Sequence, residues 1–158
     1  MRYIDCDDDL VQIFLDVVEE RFPSFINLNI KLLYDTKRRI SGGKIVMASI
    51  CTTSAMAKFF SKDNNATEGY DFVLIVDRKA WELASPVDKK RVISHELRHV
   101  FIDEKGKAKL IGHEIEDFYA ELELNQDDPE WRRNLAIQTM ALYDQEKEMS
   151  KKKGKKEL

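Results

Sequence analysis

At Asp77 the hydrophobic pattern changes period, and this change constrains the fold more than any other feature of the chain. Upstream, Tyr70 to Val76 is apolar at nearly every position. A run so short and continuous suits a strand covered on both faces, so it predicts a central strand. Downstream, apolar residues recur at helical spacing. Ser85 and Pro86 open a helix, serine as the cap and proline where its missing N–H costs least. Val87, Val92, Ile93, Leu97, Val100 and Phe101 predict that this helix runs to about residue 101. Strands on one side of Asp77 and helices on the other predict an α+β domain, with helices packed on one face of a small sheet.

The other elements follow the same signals. Leu10, Val11, Phe14, Leu15, Val18 and Phe22 predict an N-terminal helix over 8–22, with Asp7 to Asp9 at the end where the helix dipole favours anions. Strands are expected over 28–34 and 44–51, separated by a turn at Gly42-Gly43. With the central run they make a sheet of three strands or more. Residues 61–69 and 103–109 read as polar loops, 78–84 as a short helix and 110–124 as a longer one. Asp127-Asp128-Pro129-Glu130 starts a last helix carrying Trp131, Leu135, Met140, Leu142 and Tyr143.

The 158 residues suit a single domain, expected over 1–149, and the lysine-rich segment 150–158 reads as a disordered, solvated tail. No stretch approaches the ~20 apolar residues of a membrane span. The acidic start lacks the pattern of an export signal, so a cytoplasmic location is expected, and Cys6 and Cys51 fit free thiols. A net charge of -3 argues against phosphate-driven nucleic-acid binding as the main activity. The lysine tail is the one place for weak contacts of that kind.

Residues 95–99 read His-Glu-Leu-Arg-His. On a helix, His95 and His99 stand one turn apart on one face, so their imidazoles can converge on one ion. Zinc suits such ligands, and Glu96 beside them can reach the water that the ion holds. A third ligand is required. The chain has 3 histidines, and the remaining one, His113, follows a loop that can bring it back over the pair. Glu114, Glu116 or Asp117 are alternative third ligands, and Asp117 can instead orient the His113 imidazole from behind. The same pentapeptide also arises on charged helices as surface histidines. The Ser-Pro start and the apolar positions around the motif speak against that reading.

The run His95 to His99, followed after thirteen residues by His113-Glu114-Ile115-Glu116-Asp117-Phe118, resembles the SprT-like zinc metallopeptidases. It is most similar to the small metallopeptidases of phages and bacterial prophages. Gly69 to Val76 and Trp81-Glu82-Leu83 are similar to that group's strand and short helix ahead of the active-site helix. The resemblance implies a zincin-like fold and a zinc ion held by His95, His99 and His113. It also implies Glu96 as general base and a peptide or protein substrate. Two departures stand out: the chain lacks the cysteines of a zinc ribbon, and Glu114 stands where an aspartate is frequent. The alternative is a non-catalytic zinc-binding interaction or regulatory module, which would not need Glu96. The sequence identifies no oxyanion donor, Tyr119 and Arg98 being weak candidates, nor the sheet edge on which a substrate would lie.

Overall fold

The computed structural model describes residues 1–112 and 119–156. The chain opens with a short strand, β1 (Tyr3–Asp5), and α1 (Asp8–Arg21). Asp7 caps α1, its Oδ1 accepting from the Leu10 amide (3.1 Å) and from the Tyr34 hydroxyl (2.8 Å). Pro23 opens a single 3₁₀ turn, Pro23–Phe25, that ends the helix. Then come β2 (Ile30–Asp35), a hairpin of β3 (Ile40–Ser41) and β4 (Lys44–Ile45), and β5 (Ala48–Thr52). Gly42 and Gly43 turn the hairpin with φ of 57° and 78°, a conformation that glycine adopts without strain.

A short helix, α2 (Ala55–Phe60), precedes β6 (Phe72–Asp77), followed by α3 (Arg78–Leu83) and α4 (Pro86–Leu97). A second hairpin pairs β7 (Val100–Ile102) with β8 (Ala108–Leu110). The short α5 (Tyr119–Leu124) and the long α6 (Trp131–Lys156) complete the described chain. At 26 residues, α6 spans about 39 Å.

The main sheet has the order β1-β2-β6-β5. β2 and β6 are parallel, whereas β1 and β5 run antiparallel to their neighbours. Leu74 of β6 lies opposite Leu32 on one side and Ile50 on the other, so the apolar run is central as expected. Phe72, Leu74 and Val76 are buried against α1 and α4 together with Leu10, Val17, Ile93 and Leu97. Each contributes about 1.5–3 kcal/mol by leaving water. A second cluster joins Ala80, Ala84 and Val92 to Trp131, Leu135 and Tyr143, and so holds α6 to the domain. Trp81 and Trp131 are both core residues, as their helical neighbours suggest.

The α+β reading stands, with differences in detail. The sheet has four strands, and the chain begins with β1 rather than with a helix. The expected strand over 44–51 breaks at Val46-Met47 into β4 and β5, because the Val46 amide turns to the Arg39 carbonyl and the Met47 carbonyl accepts from Asp77. The helix expected to reach residue 101 ends at Leu97, and its last apolar residues pair as β7. The cause is Asp103, whose Oδ1 accepts from the Lys105 and Lys107 amides (2.9 Å each) and closes a hairpin through Gly106 at φ 80°. Of the helix expected over 110–124, Leu110 belongs to β8 and residues 119–124 to α5, and 113–118 lie outside the described residues. Finally, α6 continues through Lys151-Lys152-Lys153 to Lys156, where a disordered tail is expected. Lysine is a good helix former and extends a helix already nucleated upstream.

Candidate metal centre

Ser85 caps α4 by accepting from the Asp88 amide (3.2 Å), and Pro86 takes the first helical position. Every residue from Arg91 to Leu97 is buried, because α4 is wedged between α1 and the sheet. His95 and Glu96 are therefore only 2% and 6% exposed. Past Leu97 the chain makes one more tight turn, with the Arg98 amide bonded to the Ser94 carbonyl and the His99 amide to that of Glu96. Arg98 keeps helical dihedrals (φ -62°, ψ -22°), so the one-turn spacing of the histidines survives the end of the helix. Their ring centroids lie 5.7 Å apart with the planes at 77°.

The β7–β8 hairpin then fastens His99. The Ile111 amide donates to the His99 carbonyl, and the His99 Nδ1 lies 2.6 Å from the Ile111 carbonyl oxygen. A carbonyl only accepts, so this bond puts the imidazole proton on Nδ1 and leaves Nε2 unprotonated. Glu96 stands on the Nε2 side, its Oε2 4.0 Å from that nitrogen. Burial holds the His99 imidazole below its ordinary pKa. The Ile111 carbonyl opposes this, while the nearby charges of His95 and Arg132 act in the same direction as burial. The neutral form so favoured is the one that coordinates a metal.

His95, Glu96 and His99 open onto one cavity of about 330 Å³. Ala48, Ser49 and Ile50 of β5, the edge strand of the sheet, form a second wall. Leu110 and Ile111 supply a third, and Arg132 of α6 reaches in from a fourth direction. Sequence reasoning misses both Arg132 and the Ile111 carbonyl. The carbonyl has no sequence signature at all, and the arginine's only signal is a cation in the first turn of a helix.

Of the remaining candidates, His113, Glu114, Glu116 and Asp117 lie outside the described residues. Among the described residues no group of three His, Cys, Asp or Glu side chains could hold an ion. Arg98, a candidate oxyanion donor, does not line this cavity. Its Nε donates to Glu121 (2.9 Å), and its guanidinium covers the Phe22 ring at 4.6 Å, beside a different cleft. For the other candidate, Tyr119, the side chain is not among those described.

A family model described as "Putative phage metallopeptidase" matches residues 1–143. The chain belongs to that family. The match takes in the sheet, both motif histidines and α6 as far as Tyr143, so the lysine-rich end of α6 lies beyond it. No curated protein and no solved structure matches the chain. Membership of the phage metallopeptidase family implies a metal-dependent hydrolase acting on peptides or proteins. The described residues fit a metal of that kind: two imidazoles meet at one cavity, one is fixed with its Nε2 unprotonated, and a carboxylate stands beside it. No described helix is long and apolar enough to cross a membrane.

Proposed function

We propose that this member of the family is a zinc-dependent peptidase in which His95, His99 and His113 hold the ion and Glu96 is the general base. Zincin-like architecture, with an HExxH helix beneath a sheet edge, is part of the same reading. The observation that carries it is the double tie between His99 and Ile111. It orients one imidazole with Nε2 unprotonated, next to the His95 ring and within 4.0 Å of the Glu96 carboxylate. Ile111, in the cavity wall, also stands two residues before His113. Asp117, four residues after His113 in the sequence, is assigned to orient its imidazole.

Zinc, when bound, supplies Lewis acidity and lowers the pKa of a water molecule to about 7. The protein's own groups do the rest. Glu96 takes a proton from the attacking water and returns it to the leaving nitrogen, help worth roughly 10²–10⁴-fold. Its near-complete burial keeps the carboxylate from competing bulk water. An extended substrate lies along β5, main chain against main chain, because Ala48 to Ile50 form the wall of the same cavity at a sheet edge.

The test combines metal content with activity. Purified protein is expected to carry zinc, and a His95→Ala/His99→Ala double variant to lose it. Glu96→Gln is expected to keep zinc and lose hydrolysis of any peptide that the wild type cuts. Zinc retained in full by the double variant would end the reading. Tight zinc binding with no hydrolysis across a broad peptide library would favour a non-catalytic zinc module instead.

A further inference from the structure

Among the described residues, the cavity holding His95, Glu96 and His99 contains one further charged side chain, and it comes from a different helix. Arg132 lies in the first turn of α6, the end of a helix at which the dipole disfavours a cation. Its neighbour Arg133 is exposed and stands 4.0 Å from Glu130, as a surface arginine there would. Arg132 instead is half-buried and lines the cavity.

Its placement is fixed from two sides. Trp131 and Leu135 of α6 are buried in the second apolar cluster. Just ahead of α6, Asp127 and Asn125 accept from the Arg91 guanidinium, at 2.6 and 3.2 Å. Arg91 is one turn before His95 on α4 and is itself buried. The helix that presents His95 and Glu96 therefore also fastens the segment that delivers Arg132. A local preference set aside at a site held this firmly is a mark of function.

We infer that Arg132 is the oxyanion-stabilising catalytic residue of this site, an inference that rests on the peptidase reading. When water adds to the scissile carbonyl, a C–O bond forms and the π pair moves onto the carbonyl oxygen, while the water proton goes to Glu96. Collapse restores the C=O bond and breaks the C–N bond, and the leaving nitrogen takes the proton from Glu96. Negative charge on the oxygen exists only between these two events. A guanidinium, charged at every working pH and donating through a rigid planar fork, gains most at that moment. Its contribution therefore falls on the transition state rather than on substrate binding.

The experiment compares wild type, Arg132→Ala and Arg132→Lys as zinc-loaded full-length protein. Zinc content and thermal unfolding should match across the three. On a cleaved peptide, Arg132→Ala should lower kcat by about 10²–10³-fold with KM nearly unchanged, and Arg132→Lys should recover part of the loss. A phosphinic peptide, which mimics the tetrahedral anion, should lose affinity in Arg132→Ala by a similar factor, while a non-cleaved ground-state peptide should not. Unchanged kcat, or equal phosphinate affinity in wild type and Arg132→Ala, would overturn the inference. So would a loss confined to KM and to peptides ending in a free carboxylate, which would make Arg132 a specificity residue. Phosphinate affinity is read by binding alone, so it decides the role of Arg132 even where the wild type cuts none of the peptides offered: a loss in Arg132→Ala supports the inference, and equal affinity overturns it. A wild type that does not bind the phosphinate overturns both.

Discussion

His99 and Ile111 are joined twice, the Ile111 amide donating to the His99 carbonyl and the His99 Nδ1–H to the Ile111 carbonyl, each at 2.6 Å. The first bond continues the β7–β8 ladder, and the second turns a strand end into the orienting partner of an imidazole. In metal-free, ¹⁵N-labelled protein, His99 should therefore show a protonated Nδ1 and an unprotonated Nε2 in long-range nitrogen–proton correlation spectra. Added zinc should move the Nε2 resonance and leave the Nδ1 proton in place. An Nε2–H tautomer in the metal-free protein would contradict this arrangement.

Glu121 should matter to stability more than any other acidic residue behind the site. It is 1% exposed and accepts from the Ser94 hydroxyl (2.6 Å) and from Arg98 Nε (2.9 Å), with Arg21 Nη1 at 3.9 Å. Ser94 adjoins His95, so this carboxylate ties α5 to the helix that carries the motif. Glu121→Ala leaves cationic groups without their partner, at a cost of about 3 kcal/mol, the lower end for a buried pair because both arginines keep some solvent contact. Urea unfolding of the metal-free protein measures it. A change below about 1 kcal/mol would show that solvent replaces the carboxylate.

The elements that were legible in the sequence are those whose signal is local. β6 is a continuous apolar run, and α4 has a cap, a proline and a periodic face. The spacing of His95 and His99 follows from helical geometry even though the helix ends between them. β1 was not legible because only Ile4 of its three residues packs on the core. β7 was hidden because Val100 to Ile102 can continue a helix or pair as a strand, and the choice is made by the turn that Asp103 opens directly after them. Arg132 was illegible as a site residue because it reaches the cavity through the packing of α6, which depends on Arg91, Trp131 and Leu135 together.

Glycine substitutions should separate backbone strain from collision. Gly69 has φ 88°, and a Cβ there would lie 1.8 Å from the Lys58 carbonyl oxygen, where the 61–69 loop closes against α2. Gly106 has a similar φ of 80° and open space around it. Gly106→Ala should cost about 1 kcal/mol, for the left-handed conformation alone. Gly69→Ala adds a clash with main chain that no rotamer relieves, and should cost about 3 kcal/mol or more. Thermal unfolding of the two variants side by side gives the comparison. Equal losses would mean that the loop shifts freely away from Lys58.

Asp77 should leave a signature in the pH dependence of stability. Its Oδ1 caps α3 by accepting from the Ala80 amide (2.9 Å), and its Oδ2 accepts from the Tyr143 hydroxyl of α6 (2.6 Å). Burial nevertheless raises its pKa, and the carboxylate of Asp35, in register on the neighbouring strand, pushes the same way. The bonds from Tyr143 and the α3 amides oppose both. The sign follows from proton counting. Between the ordinary carboxylate value near 4 and the raised one, the folded state holds a proton that the unfolded chain has released. Stability from this group therefore falls as pH rises through that window, and its cost is constant above it. Asp77→Asn cannot ionise and can still cap α3, so it should flatten that part of the curve. Asp77→Ala should flatten it too, but lose about 1 kcal/mol at every pH with the cap. Urea unfolding at a series of pH values from about 4 to 7 distinguishes them, and an unchanged slope in Asp77→Asn would assign the dependence to another group.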